Sequence, residues 1–300
     1  MLLLDFNPQF KDLKFGRVQN ISFKATDGHN VRAGLYLPPD FEQGKKYPLV
    51  IQTHAWNPER FWIDGPWPSA FAAQPLAGGG FVVLQLSEDT SVLSTPEEAP
   101  KEASAYEGGI DYLDSLGVIN RNRVGVIGFS RSGLGVEYAL THSKYHFAAA
   151  TLAEASDGGY FAYVSAVPSW SWRWPDFEGI NGGVPFGEGI ASWLKKSPDF
   201  NLAAVTTPVR EEAYQASAIL FAWEWFAGLS RLGKPVDLIY IPHGSHVLVK
   251  PWDRLTSQQG NVDWFRFWLQ DYEDPDPAKA EQYARWRDLR KLQQHTEKAN

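Results

Sequence analysis

The sequence predicts an α/β protein with a mostly parallel central sheet that is flanked by helices and preceded by an antiparallel hairpin. Short apolar runs of strand length alternate with longer segments of helical pattern, which is typical of βαβ units. The runs are apolar throughout, as strands covered on both faces are, and Gly ends several of the helical segments. Near the start, Asp27-Gly28 separates two segments of alternating apolar and polar residues, which predicts a β-hairpin.

The elements follow in a regular order along the chain. The hairpin takes residues 17–25 and 30–37, and further strands are predicted at 47–53, 81–86, 122–128, 147–152, 207–212 and 236–241. Helices are predicted at 68–77, 102–116 and 131–143, then up to Leu232 and at 261–270.

Residues 155–205, called the excursion below, interrupt this alternation. They are rich in Gly, Pro, Ser and Trp, and they predict a long loop or lid above the sheet. Loops of this length are usually functional or disordered, and the four Trp and four Phe in the segment argue against disorder.

A final helix is predicted at 276–297, because Asp276 is a good N-cap and Pro277 suits the first helical position. Tyr283, Trp286, Leu289 and Leu292 form a narrow apolar stripe on it. The stripe either packs on its own domain or serves for self-association or docking on another domain.

Charge and composition restrict the function. The 28 Lys and Arg against 35 Asp and Glu give a net charge of −7 without a basic block, which disfavours nucleic acid and anionic membranes as partners. No apolar run reaches the roughly 18 residues of a membrane span. The start lacks the pattern of a signal peptide, although the compartment stays open. The absence of Cys removes disulfides, thiolate catalysis and Cys-ligated zinc.

A nucleophilic serine is predicted between the strand at 122–128 and the helix at 131–143. A nucleophile elbow lifts one Ser out of a sheet on a sharp strand-to-helix turn, and it needs small residues two positions to either side. Gly128 and Ser132 flank Ser130 in this way, although Gly is usual at the position of Ser132. The alternative is that Ser130 is an ordinary helix N-cap.

Two histidines, His243 and His246, follow the last predicted strand, where such a site places its general base. An imidazole there can take the proton of the serine and return it to the leaving group. We expect His246 to be the base, since the loop must clear the strand before it turns back. His243, next to Gly244, is expected in a turn, and a helix cap is the alternative role of His246.

The acid that orients the imidazole is expected at the end of the strand at 207–212, where the chain has Glu instead of the usual Asp. Successive side chains of a strand point to opposite faces, so only one of Glu211 and Glu212 would face the site. We expect Glu212 to be the acid, with Glu211 as the alternative, and we expect Glu224 to be structural.

The oxyanion donors are expected to be the backbone N–H of Arg131 and one from His54 or Ala55, which follow the strand at 47–53. His54 has no neighbours at metal-ligand spacing, so neither a metal nor another cofactor is expected. Trp56, Trp62 and Tyr160 are predicted to line an apolar substrate pocket.

A set of segments also occurs in a characteristic order: the hairpin, Tyr47-Pro-Leu-Val-Ile51, Gly128-Phe-Ser130, Ser197-Pro-Asp-Phe200, Leu232-Gly-Lys-Pro-Val236 and Ser245-His246. Over residues 15–270 this order resembles the catalytic domain of the prolyl oligopeptidase family of serine peptidases. It looks most like bacterial members related to lasso peptide isopeptidases, in which a Glu completes the triad, and residues 258–265 are similar to theirs. The resemblance implies the α/β-hydrolase fold and a triad of Ser130, His246 and Glu212. The implied reaction is cleavage of peptide, amide or ester bonds through an acyl-enzyme.

The family usually carries an N-terminal β-propeller, for which this sequence has no residues. We therefore expect residues 1–300 to form one hydrolase domain, which either stands alone or comes from a longer protein. The expected substrate is a small peptide or ester. A carboxylesterase for small or aromatic esters and a non-catalytic binding module of the same fold are the alternative functions.

Overall fold

The strands of the fold lie close to the predicted apolar runs. The computed structural model describes residues 8–53, 56–59, 69–87, 89–155, 158–165 and 168–299. The strands in these ranges are β1 (Arg17–Lys24), β2 (Asn30–Leu37), β3 (Tyr47–Gln52), β4 (Val82–Leu86), β5 (Ile119–Phe129), β6 (Ala149–Ala153), β7 (Val209–Ala213) and β8 (Val236–Tyr240).

These strands form one sheet in the order β1-β2-β4-β3-β5-β6-β7-β8. β2 is antiparallel to both of its neighbours, and every other adjacent pair is parallel. The carboxyl ends of the strands from β3 to β8 therefore meet at one edge, which is where side chains from different loops can converge. The predicted α/β class, with its hairpin and mostly parallel sheet, is confirmed.

Helices flank the sheet. They are α1 (Ala73–Gly78), α2 (Glu98–Ser115), α3 (Gly133–His142), α4 (Tyr160–Ser165), α5 (Trp174–Asn181), α6 (Ile190–Lys196), α7 (Ala216–Arg231), α8 (Pro251–Gln270) and α9 (Ala280–Ala299). α8 begins ten residues before its predicted start, because its buried face includes the polar Ser257 and Asn261, which hide the apolar pattern.

Two apolar cores lie on opposite faces of the sheet. Residues of α2, α3 and α7 form one core with Leu49 and Ile51 of β3. Residues of α1, α8 and α9 form the other with Val50 of the same strand. Alternate side chains of a single strand thus enter different cores, which explains why the central strands are apolar throughout.

The excursion contains α4, α5 and α6 in its described part. Tyr163, Phe177 and Trp193 form a small core of its own, in which the ring centroids of Tyr163 and Trp193 are 5.3 Å apart. Part of the aromatic content of the sequence is therefore used for packing inside the excursion.

The apolar stripe of α9 packs on the chain itself. Trp286 is fully buried against Trp264 and Phe267 of α8, and its indole Nε1 donates a hydrogen bond to Asp237 at 2.7 Å. Leu292, at the end of the stripe, is 43% exposed. Of the two interpretations of the stripe, packing accounts for its buried half. Among the described residues, no helix has both the length and the apolar character needed to span a membrane.

Candidate active site

Ser130 lies directly after β5 on a sharp turn into α3. Its backbone φ is +54°, a left-handed conformation that a non-glycine residue rarely adopts. The turn is also tightly packed. A Cβ atom on Gly128 would lie 2.8 Å from Cα of Gly133, and one on Gly133 would lie 2.3 Å from Cβ of Ala155. The turn has the geometry expected of a nucleophile elbow.

Ser132, which stands where Gly is usual, is part of a hydrogen-bond network. Its Oγ accepts from the N–H of Phe129 at 3.2 Å and donates to the carbonyl of Phe129 at 2.9 Å. The same Oγ lies 2.6 Å from Oγ1 of Thr53, at the end of β3. Ser132 therefore links the elbow to the segment that leads into the predicted oxyanion loop.

His246 is placed against Ser130. Its Nε2 lies 2.8 Å from Oγ of Ser130, and its ring stacks on Phe129 with the centroids 5.0 Å apart. Ser69 holds the loop by donating to the carbonyl of His246 at 3.2 Å and accepting from the N–H of Leu248 at 2.8 Å. His243 has a φ of +63°, in keeping with a turn residue.

The carboxylate beside His246 is that of Glu154, and this corrects the expectation for Glu212. Oε2 of Glu154 lies 3.1 Å from Nδ1 of His246 and accepts from Nε2 of Gln215 at 3.1 Å. Oε1 accepts from the N–H of Tyr214. Glu154 directly follows β6, is 5% exposed and has a φ of +52°. Like Ser130, it leaves its strand in a left-handed conformation.

Glu212 lies instead within β7, with its side chain in the core between the sheet and α8. It forms a buried ion pair with Arg210. It also accepts hydrogen bonds from the hydroxyl of Tyr214 at 2.5 Å and from Oγ of Ser257 at 2.6 Å. Its link to the site is indirect, because the N–H of the same Tyr214 donates to Glu154.

Glu211 points to the other face of the sheet, where it belongs to a group of four acidic side chains. Glu211 and Glu137 are buried, and Asp199 and Glu224 are half-buried. Burial raises the pKa of Glu137 and of Glu211 well above the usual range, and the nearby Asp199 adds to both shifts. Burial, followed by Asp199, raises the pKa of Glu224 to about 8. Glu224 accepts from the N–H groups of Phe161 and Ala162 at the start of α4, which agrees with its expected structural role.

A cavity of about 560 Å³ opens beside Ser130. Its wall combines charged with apolar residues. The charged ones are Arg32, Asp89, Glu98, Lys101, Glu102 and Arg131, and the apolar ones include Val31, Leu86, Val92, Leu93 and Ala105. Lys101 is paired with Asp89 at 2.8 Å. The structure thus provides a cavity next to the serine that combines charged with apolar side chains, whereas the sequence predicted an apolar one lined by Trp56, Trp62 and Tyr160.

Two of the aromatic residues predicted to line the pocket, Trp56 and Tyr160, are not in the wall of this cavity, which corrects that expectation for them. The ring of Trp56 packs on Gly34, where a Cβ would lie 2.4 Å from it, and edge-on against Tyr36. Tyr160 packs against Trp193 and Phe200 within the excursion. His54, Ala55 and Trp62 lie outside the described residues. The N–H of Arg131 is in the first turn leading into α3, where backbone donors have no acceptor inside the helix.

The fold is that of the α/β-hydrolase class, and the contacts of Ser130, His246 and Glu154 are those that sites of this class show between a serine, a histidine and an acid. No family model matches the chain. The lasso peptide isopeptidase AtxE2 of Asticcacaulis excentricus is 32% identical over 308 residues, which cover 97% of this chain and 43% of the relative. Dipeptidyl-peptidase 5 of Porphyromonas gingivalis is 22% identical over 82% of this chain and 37% of its own length.

Solved structures agree with these relatives. An AtxE2 isopeptidase variant with Astexin3-dC4 bound has a TM-score of 0.82 at 31% identity and covers 97% of this chain. The acylaminoacyl peptidase of Pyrococcus horikoshii, at 20% identity and a TM-score of 0.70, shares the fold. Over nearly its whole length the chain is thus similar to part of each of these peptidases, in keeping with its resemblance to the catalytic domain of the prolyl oligopeptidase family. It spans less than half the length of these relatives.

Proposed function

We propose that this chain hydrolyses amide bonds in peptides through an acyl-enzyme, with Ser130 as nucleophile, His246 as general base and Glu154 as the orienting acid. The observation that carries the proposal is the continuous contact from Oγ of Ser130 through both ring nitrogens of His246 to Glu154. This arrangement requires the tautomer in which Nδ1 carries the proton and donates to Glu154, because Nε2 must then be free to accept from Ser130.

In the first half of the reaction, Oγ of Ser130 attacks the carbonyl carbon of the amide while its proton passes to Nε2 of His246. The charge on the carbonyl oxygen is stabilised by the N–H of Arg131. The imidazolium, held by Glu154, then gives its proton to the leaving amine as the C–N bond breaks. In the second half, His246 deprotonates a water molecule that attacks the acyl group, which releases the carboxylic acid and restores Ser130.

We further propose that the scissile bond is an isopeptide bond, an amide formed by a side-chain carboxyl or amino group. Support comes from the isopeptidase that is 32% identical over nearly the whole chain. The charged side chains in the wall of the cavity beside Ser130 suit a peptide that carries polar side chains. The relatives named above are all called peptidases, so neither the esterase nor the non-catalytic module is favoured.

A fluorophosphonate probe tests the nucleophile. We expect the wild type to be labelled at one site and Ser130→Ala to stay unlabelled with unchanged circular dichroism. Labelling of Ser130→Ala, or none of the wild type, would contradict the proposal.

The substrate class is tested with three compounds that share one acyl group, as an isopeptide, a linear amide and an ester. We expect kcat/KM for the isopeptide to exceed that for the linear amide. The reverse order would remove the isopeptide proposal and leave amide hydrolysis in place. Turnover of the ester alone would favour the esterase.

A further inference from the structure

The side chain of Arg131, the residue after the predicted nucleophile, is held by groups from three different parts of the chain. Its Nε and one terminal nitrogen donate to the two carboxylate oxygens of Glu98, at 2.6 and 2.7 Å. That terminal nitrogen also donates to Oγ of Ser94 at 3.1 Å, and the other lies 3.6 Å from Asp176. Glu98 begins α2, Ser94 belongs to the loop before it, and Asp176 lies on α5 of the excursion.

The Glu98 contact is a rigid one. Glu98 is 1% exposed, and its pairing with Arg131 is bidentate, which fixes the plane of the guanidinium as well as its distance. A second tie comes from the N–H of Ser94, which donates to the same carboxylate at 2.6 Å. The position of the Arg131 side chain is therefore set by a buried group.

The loop at Ser94 is shaped to receive α5. Ser94 has a φ of +58°, and its hydroxyl donates to Asp176. A Cβ atom on Gly179 of α5 would lie only 2.1 Å from the carbonyl oxygen of Ser94, so only a glycine permits this approach. The same loop contributes Asp89 and residues 90–93 to the cavity wall. α5 thus packs on the loop that forms part of the wall of the cavity.

We propose that Arg131 is a positioning residue that couples the seating of the excursion to the geometry of the nucleophile's turn. The inference rests on the proposed function, because the N–H of Arg131 is the expected oxyanion donor. Glu98 holds the side chain of the residue that supplies this N–H, and Asp176 joins the same guanidinium to α5. A shift of α5 relative to the cavity wall would therefore displace the backbone N–H of Arg131, the expected oxyanion donor.

This role depends on two separable contacts of the Arg131 side chain. The contact with Glu98 acts on the turn itself, so its loss should lower kcat and the rate at which Ser130 reacts with a phosphonate. The contact with Asp176 acts on the position of α5, so its loss should mainly raise KM. Lys cannot replace Arg in both contacts, because an ammonium group cannot form the bidentate pair while also reaching Asp176.

The test compares Arg131→Lys and Asp176→Asn with a control, Arg121→Lys, which disrupts a surface pair with Asp111 at the opposite end of β5. For Arg131→Lys we expect about tenfold slower fluorophosphonate labelling and a kcat lower by about the same factor, because small displacements at a reacting centre are costly. Its KM should rise about threefold, as should that of Asp176→Asn. Arg121→Lys should match the wild type in all three quantities.

The double variant Arg131→Lys with Asp176→Asn tests the coupling. Since either change breaks the same contact, its KM should equal that of Arg131→Lys alone. Additive effects on KM would overturn the coupling. The positioning role would be overturned if Arg131→Lys were labelled at the wild-type rate. It would also be overturned if the slower labelling of this variant were fully explained by a lower Tm. A wild type that is not labelled at all would instead refute the proposed function.

Discussion

Nδ1 of His246 lies 3.1 Å from Oε2 of Glu154, although 92 residues separate the two in the chain. The contact arises because β6 and β8 both end at the same edge of the sheet, β6 at Ala153 and β8 at Tyr240. The carboxylate is buried and has two further donors, the N–H of Tyr214 and Nε2 of Gln215. The position of the Glu154 carboxylate is therefore fixed before the imidazole of His246 becomes protonated.

Replacing Glu154 by Gln is expected to lower kcat by roughly 10³ to 10⁴, because an amide can neither balance the imidazolium nor select the tautomer that serves Ser130. The measurement is kcat at saturating substrate. Glu212→Gln provides the matched control and should lower kcat less than about tenfold in the folded protein. If Glu212→Gln were the more damaging of the two, the assignment of the acid would return to β7.

Glu212 is expected to contribute to stability. Burial lowers the pKa of Arg210 to about 10, and removing the charge of Glu212 leaves this buried cation without its nearest counter-charge. We expect Glu212→Gln to reduce the free energy of unfolding by about 3 kcal/mol in urea denaturation. The double variant Arg210→Met with Glu212→Gln should recover most of the loss, because neither buried charge remains. A double variant less stable than the single one would contradict this interpretation.

Stability is also expected to fall as the pH rises, owing to the group of four acids formed by Glu137, Asp199, Glu211 and Glu224. Their pKa values are raised in the folded protein, so the fold retains protons that the unfolded chain has already lost. The contribution of Glu224 is fully present below its unfolded pKa of about 4.3 and is lost as the pH rises toward its folded pKa of about 8, with a slope of at most about 1.4 kcal/mol per pH unit.

Urea unfolding between pH 5 and pH 9 measures this effect. Glu224→Gln should flatten the decline, because an amide can still accept from the N–H groups of Phe161 and Ala162 without ionising. Glu188→Gln, at an exposed position of the excursion, should retain the slope of the wild type. Equal slopes in the wild type and Glu224→Gln would show that this group does not titrate in the range.

Ser132→Gly, which restores the usual small residue, is expected to impair the protein. It removes the hydrogen bonds to Phe129 and the contact with Thr53, which should cost about 1 kcal/mol of unfolding free energy. We also expect slower fluorophosphonate labelling. Thr53→Val, which removes the Thr53 contact alone, should give a smaller effect in the same direction. An equally reactive and equally stable Ser132→Gly would mean that the hydroxyl has no such role.

The sequence was sufficient to predict the fold, as well as the positions of Ser130 and His246. The apolar runs identify strands covered on both faces, and their order with the intervening helices permits few topologies. The elbow has a local signal, because Gly128 and Gly133 are required by close contacts around one turn. His246 could be inferred because it follows the last strand.

The carboxylate that contacts His246 is Glu154 and not the predicted Glu212, for a physical reason. The expectation placed the acid at the end of the strand next to β8, and assumed that one of Glu211 and Glu212 would face the site. Both faces of β7 are covered, so both side chains are buried, on opposite sides of the sheet. One signal pointed to Glu154, a single acidic residue that ends the apolar run from Phe147 at the carboxyl edge of β6.

The pocket could not be predicted from aromatic content. Trp56 and Tyr160 belong to the segments that were expected near the site. The ring of Trp56 packs on Gly34, however, and that of Tyr160 packs on Trp193. Composition indicates how many large rings must be placed and does not indicate which side of a loop they cover. The same holds for Arg131, whose partners Glu98 and Asp176 are distant in sequence and meet it only in the folded chain.

The burial of Trp286 has a consequence for how the protein behaves in solution. β8 is one of the two outer strands of the sheet, and an uncovered outer strand can pair with a strand of another molecule. Asp237 of β8 is tied to Trp286 and lies 3.4 Å from Arg285, both on α9. A shortened chain that ends before residue 280 would lose this cover and leave a carboxylate, Trp264 and Phe267 facing water. We expect such a chain to precipitate on expression, because the terminal helix is needed to keep the protein in solution.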